Sequence, residues 1–270
     1  MIFYFSGTGN SRHIARSIAN ETGVTAIDIC SIDAVHSQLL NKIQSEPSVG
    51  FVFPVYSWGV PPIMCDFIKR LPETFVQGIS DNNIPVWAVM SCGDETGNAH
   101  KMLKSILRSR HIEPTGIWSI IMPNTYVLLP GFDVDDRRLE NKKLNDAELK
   151  IKEICDKINS QFWEEDLVVG SIPRLKTSLV YPLFKKWGIS RSKWSAGEGC
   201  IGCGECSRAC PVGNITLVDS RPVWGDNCTS CLACYHACPQ HAVEYGKTTL
   251  NKGQYRHWFL KTKSKIISEG

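Results

Sequence analysis

Eight of the twelve cysteines in this 270-residue chain fall in two runs of identical spacing. The first holds Cys200, Cys203, Cys206 and Cys210, followed by Pro211; the second holds Cys228, Cys231, Cys234 and Cys238, followed by Pro239. Each reads C-x2-C-x2-C-x3-C-P, and the second repeats the first 28 residues on. Three cysteines on one tight loop reach three corners of an iron–sulfur cube, and the fourth, before Pro, ligates the other cube. The spacing therefore assigns Cys200, Cys203, Cys206 and Cys238 to one cluster, and Cys228, Cys231, Cys234 and Cys210 to the other. Gly202, Gly204 and Ala233 are small, as loops folded tightly around a cluster require. A zinc pair would leave the third cysteine and the Cys-Pro of each run without a role. A disulfide scaffold needs an oxidising compartment, to which nothing in the sequence points.

Over residues 196–246 the chain resembles bacterial two-cluster [4Fe–4S] ferredoxins. The remaining cysteines, Cys30, Cys65, Cys92 and Cys155, are scattered and are expected as buried thiols in a reducing cytoplasm. No apolar run is long enough to span a bilayer. The first residues, Met1 to Gly7, lack the basic flank and cleavage site of a signal peptide. The net charge of +3 is small and gives no footprint for nucleic acid.

The first 163 residues alternate strand and helix. Residues 1–5 are a short apolar run, and Ile14, Ala15, Ile18 and Ala19 then recur at helical spacing. Further strands are expected at 24–29, 48–53, 84–90 and 116–122, with helices at 33–43, 61–71, 97–109 and 146–162. Five strands alternating with helices specify a doubly wound α/β fold with a parallel sheet. The long polar connection 123–145 is expected to cover a ligand.

Between the first strand and first helix lies Ser6-Gly7-Thr8-Gly9-Asn10-Ser11. Backbone N–H groups and hydroxyls there suit a phosphate at a helix N-terminus. A dinucleotide fingerprint would need Gly or Ala where Arg12 stands, and a P-loop would need Gly-Lys-Ser/Thr. A second loop, Pro54-Val55-Tyr56-Ser57-Trp58-Gly59, follows the third strand. It supplies Trp58, and after it Tyr56, as aromatics to stack on a flavin ring. A third loop, Ser91-Cys92-Gly93-Asp94-Glu95-Thr96-Gly97, follows the fourth strand and offers its amides to the polar flavin edge. Asn124, after the fifth strand, is a further candidate contact.

The phosphate loop resembles that of flavodoxins, and the whole chain resembles the fusion family called flavoferredoxins. In that family a flavodoxin-like domain precedes a two-cluster ferredoxin domain. The resemblance implies a sheet of order 2-1-3-4-5, FMN as the flavin, and electron transfer to a redox partner protein. It places the flavodoxin-like domain at 1–163, a basic connector at 164–195 with a short helix at 178–187, the ferredoxin domain at 196–246, and a basic tail at 247–270 expected as a terminal helix. The rival expectation is a flavin-dependent oxidoreductase with a small-molecule substrate, the clusters serving as its wire. No acid–base array accompanies the histidines at 100, 111, 236, 241 and 257. Residues 172–194 carry six Lys or Arg and no carboxylate, whereas 196–246 holds five carboxylates against Arg208 and Arg221. A partner with a basic docking patch is the expectation for the cluster domain.

Overall fold

The computed structural model describes residues 1–31, 43–188 and 193–257. Strands β1 (Ile2–Tyr4), β2 (Ala26–Asp28), β3 (Val49–Pro54), β4 (Val86–Cys92), β5 (Gly116–Ile121) and β6 (Glu165–Asp166) form one parallel sheet in the order β2-β1-β3-β4-β5-β6. The order 2-1-3-4-5 is as expected, and β6 extends it by a sixth, two-residue strand that pairs Ile117 with Glu165. Two polar residues carry no alternation, which is why the sequence did not mark them as a strand.

Side-chain alternation divides the core between the two faces of the sheet. Phe3, Phe5, Phe51 and Phe53 face α2 (Pro62–Lys69), α3 (Glu73–Asp81) and α4 (Ala99–Arg108). Ile2, Tyr4, Val52, Trp87 and Trp118 face α1 (Asn10–Thr22) and α5 (Arg137–Asn159). Helix α3 was not foreseen; it starts after Pro72 and buries Phe75, Val76 and Ile79. Helix α5 begins nine residues before the expected 146, because Asp136 caps it by accepting the Leu139 N–H at 2.8 Å. Its first turns are mostly charged, with only Leu139 and Leu144 apolar, so buried apolar residues at helical spacing begin at Ala147. The helix expected at 33–43 lies outside the described residues apart from Ile43, which opens a short 3-10 turn (Ile43–Ser45).

The connector is helical over 173–188, longer than the expected 178–187, with α-turns alternating with π-turns. Tyr181 pins it to the sheet domain by donating to the Val60 carbonyl at 2.6 Å. Its cations are partly engaged within the protein: Lys176 pairs with Glu95, and Lys185 lies over the Tyr181 ring.

In the cluster domain, β7 (Trp194–Ala196) pairs antiparallel with β10 (Val243–Tyr245), and β8 (Ile215–Val218) with β9 (Arg221–Trp224). Two short helices, α6 (Glu205–Ala209) and α7 (Ala233–Ala237), repeat the 28-residue offset of the sequence. The backbone repeats it too. Gly202 and Gly204 have φ of 68° and 75°, and their counterparts Ser230 and Leu232 have 55° and 62°. The second motif thus makes the same turn without glycine, at a cost of about 1–2 kcal/mol for each left-handed residue.

Residues 252–257 are not helical; they run back as a strap over the phosphate loop, and the helix expected for the tail falls otherwise on 258–270, outside the described residues. Tyr255 Oη donates to Asn10 Oδ1 at 2.7 Å, and His257 N donates to the Thr8 carbonyl at 3.0 Å. Among the described residues no helix is long and apolar enough to cross a membrane.

Candidate functional site

In a doubly wound sheet the crevice opens at the carboxyl ends of the strands, where strand order reverses. Here that point lies between β1 and β3, and a cavity of about 460 Å³ occupies it. Such a volume suits a cofactor-sized ligand. The three loops singled out in the sequence all reach it: Ser6, Gly7, Thr8, Asn10 and Ser11; then Pro54 to Trp58; then Ser91 to Asp94. Asn124 lines it as well. Three expected residues do not. Gly9 faces a neighbouring cavity. Gly59 abuts the Tyr181 ring, and Gly97 abuts Trp58.

The phosphate loop is built for an anion. Ser6, Thr8, Asn10 and Ser11 are buried, and Gly9 caps α1 with φ of 107°, a conformation that favours glycine. Ser6 Oγ accepts the Gly9 N–H at 3.2 Å, and the Ser11 and Ser91 hydroxyls meet at 2.8 Å. The Asn10 amide donates to the Pro123 carbonyl at 3.1 Å and so ties the loop to the far side of the cavity.

The aromatic loop is a tight hairpin. Tyr56 and Gly59 exchange backbone hydrogen bonds of 2.9 Å, and Ser57 and Trp58 between them have φ of 44° and 62°. Trp58 is held by Glu95, named in the third loop but given no side-chain role there: its Nε1 donates to Glu95 Oε1 at 2.8 Å, and Lys176 Nζ sits 5.3 Å from the ring centroid. Burial opposes ionisation of Glu95, but hydrogen bonds from Lys176, Trp58 and the Ser171 N–H outweigh it and hold its carboxyl below the ordinary range. Asn124 is fixed by Asp135, which accepts both its backbone N–H and its side-chain amide at 2.9 Å, and Asp135 pairs with the buried Lys143 at 2.8 Å. Burial, with Asp94 nearby, pushes the Cys92 thiol up to about 12. It is therefore a neutral thiol at physiological pH.

The connection after β5 has the covering role expected of it. Tyr126, Leu129 and Phe132 line the cavity, while Val127 and Leu128 between them are buried in the core of the cluster domain beside Trp194 and Tyr235. The remaining wall was not foreseen. Val180 and Phe184 of the connector line it, and so do Ser230, Cys231 and Leu232 of the second cysteine run. One sequence signal for this existed: the second motif carries Leu232 where the first has Gly204, an apolar side chain with no use inside a cluster loop.

The eight cysteines separate into the two sets that the spacing assigned. Cys200, Cys203, Cys206 and Cys238 line one small hollow. Cys210, Cys228, Cys231 and Cys234 lie within mutual electrostatic reach. The surroundings suit iron–sulfur clusters, whose sulfurs accept hydrogen bonds. The buried donors Trp224 Nε1 and Thr229 Oγ1 have no oxygen acceptor and face the Cys234 and Cys231 sulfurs. The Asn214 and Ala242 amides donate to Cys210 and Cys238 Sγ, each at 3.2 Å and again 28 residues apart. The first set is nearer solvent, since Cys203 is exposed, whereas Cys231 packs against the aromatic core of the sheet domain. Of the other four cysteines, Cys65, Cys92 and Cys155 are buried as expected, and Cys30 is only half-buried.

Residues 191–243 match the family model of the 4Fe-4S dicluster domain. No curated protein matches the chain in sequence. Among solved structures, the Trp repressor binding protein of Bacillus subtilis is 16% identical, with 54% of this chain and 95% of that one covered at a TM-score of 0.38. The FMN-dependent NADH-azoreductase of Bacillus anthracis, solved with FMN, is 13% identical, with 58% and 98% covered and a TM-score of 0.37. The WrbA-like flavodoxin of Agrobacterium tumefaciens is 12% identical, with 58% and 96% covered and a TM-score of 0.32. The fold assignment stands on the strand order and not on these distant likenesses. The chain is an iron–sulfur redox protein in which a flavodoxin-like α/β domain is fused to a ferredoxin-type 4Fe-4S dicluster domain.

Proposed function

We propose that the protein is an electron carrier that joins FMN to two [4Fe–4S] clusters and passes electrons to a redox partner protein in a reducing cytoplasm. The observation that carries this reading is the shared wall: Cys231, a ligand of the buried cluster, also lines the 460 Å³ cavity. FMN in that cavity would supply exchange of one or two electrons, where each cluster exchanges one.

The chain's own residues fit the group. Thr8, Asn10, Ser11 and the α1 N-terminus would hold the phosphate. Trp58, clamped by Glu95 and Lys176, would flank the ring. Asn124, clamped by Asp135, would meet its polar edge. Tyr126, Leu129, Phe132 and the cluster domain would line the side away from the sheet, with Leu129 and Phe132 themselves about half-exposed. The second cysteine run forms part of this wall through Ser230, Cys231 and Leu232, and a cluster neighbour for the flavin favours a carrier over the oxidoreductase reading. The buried cluster would be proximal to the flavin, and the cluster beside exposed Cys203 would be the exit to the partner.

Anaerobically prepared protein is expected to hold about eight iron, eight sulfide and one FMN per chain, as two [4Fe–4S] clusters imply. Thr8→Asp places a carboxylate against the phosphate. At about 4 Å and an effective dielectric of about 20 this costs on the order of 4 kcal/mol, so FMN affinity should fall by two orders of magnitude or more. FAD in place of FMN, or unchanged FMN affinity in Thr8→Asp, would overturn this placement of the flavin.

A further inference from the structure

The phosphate loop has a second face. Ser6, Gly7 and Thr8 form a partition between the 460 Å³ cavity and another of about 240 Å³. The second cavity lies on the β2 side of β1, where Asp28 and Ser31 close it. No loop that would hold FMN's ring opens onto it.

Three arginines reach this cavity from three parts of the chain: Arg12 from the first turn of α1, Arg208 from α6 of the cluster domain, and Arg256 from the C-terminal strap. Their charge is incompletely matched. Arg12 Nη2 lies 3.3 Å from Asp28 Oδ2, but its buried Nε has no acceptor. Arg208, at the rim, is exposed and already satisfied by Glu205 at 2.8 Å and the Cys203 carbonyl at 2.7 Å, which leaves Arg12 and Arg256 as the pair in question. Arg256 is half-buried and makes no ion pair or hydrogen bond among the described residues. Burial, with the like charge of Arg12 close by, lowers its pKa, while Glu205 only partly compensates. Like charges on Arg12 and the half-buried Arg256 within reach of each other are unfavourable unless an anion lies between them.

We infer that this cavity is a second anion site, distinct from the flavin phosphate cradle, that takes a small phosphoryl or pyrophosphoryl group between Arg12 and Arg256. Guanidinium groups match such oxygens in bidentate fashion. Its volume is below that of sites enclosing whole drug-sized ligands, about 300–1,000 Å³. It therefore suits a free pyrophosphate-sized ion, or the phosphate tail of a nucleotide whose base stays outside. Because Arg12 lies on α1 and Arg256 on the C-terminal strap, a bound anion would tie the strap to the sheet domain.

The inference assumes only that FMN's phosphate takes the other face of the loop. Calorimetric titration of FMN-saturated, cluster-loaded protein with inorganic pyrophosphate, and separately with ADP, tests it. Saturable one-to-one binding of pyrophosphate is expected, with FMN content unchanged. Tighter binding of ADP would assign the site to a nucleotide tail, and equal or weaker binding to a free ion. Arg256→Gln should weaken pyrophosphate binding about tenfold or more, as loss of a charge-assisted hydrogen bond implies. Arg256→Lys, which keeps the charge and guards against misfolding, should retain part of it. No binding to the wild type, unchanged binding in Arg256→Gln, or release of FMN by pyrophosphate would each overturn the inference. If FMN fails to bind at all while pyrophosphate still does, the flavin reading falls and the anion site stands.

Discussion

Gly7 of the phosphate loop lies directly against Cys231 of the second cysteine run: a methyl group added to Gly7 would sit 2.3 Å from the Cys231 carbonyl oxygen and 2.9 Å from its Cβ. Backbone meets backbone there, so neither partner can turn aside as a flexible side chain could. In the proposed electron path this contact would set the spacing between the flavin cavity and the cluster held by Cys231. Tyr56 reinforces the junction; it packs in the same core as Cys231, and burial, with the Cys231 and Cys228 sulfurs nearby, holds its hydroxyl well above its ordinary pKa.

Gly7→Ala should therefore force the domains apart locally. Overpacking of this kind costs about 1–3 kcal/mol. Thermal melting should show a modest loss of stability, with both cofactors still bound. Stopped-flow absorbance should show slower electron exchange between flavin and clusters. Unaltered exchange would mean that the Gly7–Cys231 contact does not set the transfer geometry.

Glu95 joins the aromatic loop, the connector and the loop after β4, through Trp58, Lys176 and the Ser171 N–H. Glu95→Gln keeps the size but removes the charge. Loss of charge-assisted bonds at a site only 18% exposed should cost roughly 1–3 kcal/mol. FMN should bind more weakly and Trp58 fluorescence should change. Retention of wild-type affinity and melting temperature would show that Glu95 is a bystander.

Trp224 points a buried, otherwise unpartnered N–H at Cys234 of the proximal set. Hydrogen bonds to cluster sulfurs stabilise the reduced, more negative cluster and raise its potential. Trp224→Phe should shift the potential of one cluster downward and leave the other in place, as followed by spectroscopic redox titration. A shift in neither cluster would remove that hydrogen bond from the account.

Much of this was legible in the sequence because the chemistry fixes the spacing. A cube dictates where cysteines fall along a loop, and a phosphate at a helix N-terminus dictates Ser, Thr and Gly between strand and helix. The cluster sets and the three flavin loops follow from such local rules, while the strand order is what the resemblance to flavodoxins implies. Most of what escaped depends on contacts between segments far apart in the chain. Val127 and Leu128 look like any loop residues, yet they fill the cluster-domain core. Tyr255 and His257 lie in an aperiodic tail, yet they clasp Asn10 and Thr8. Glu95 looks like a solvated charge until Lys176, 81 residues on, folds back onto it. Helix α5 was read short because its polar first turns depend on the Asp136 cap and not on an apolar stripe.

The central claim is the order flavin, proximal cluster, distal cluster. The most direct test is single-turnover electron transfer from reduced FMN in wild-type and Cys210→Ala protein, monitored under anaerobic conditions by cluster absorbance. Cys210 comes from the first run but groups with Cys228, Cys231 and Cys234. Its loss should impair the proximal cluster while leaving the cluster of Cys200, Cys203, Cys206 and Cys238 assembled. The account predicts that FMN still binds and is still reduced, but that electrons no longer reach the surviving distal cluster at the wild-type rate. Wild-type transfer to that cluster, or loss of the Cys200 cluster in place of the proximal one, would contradict it.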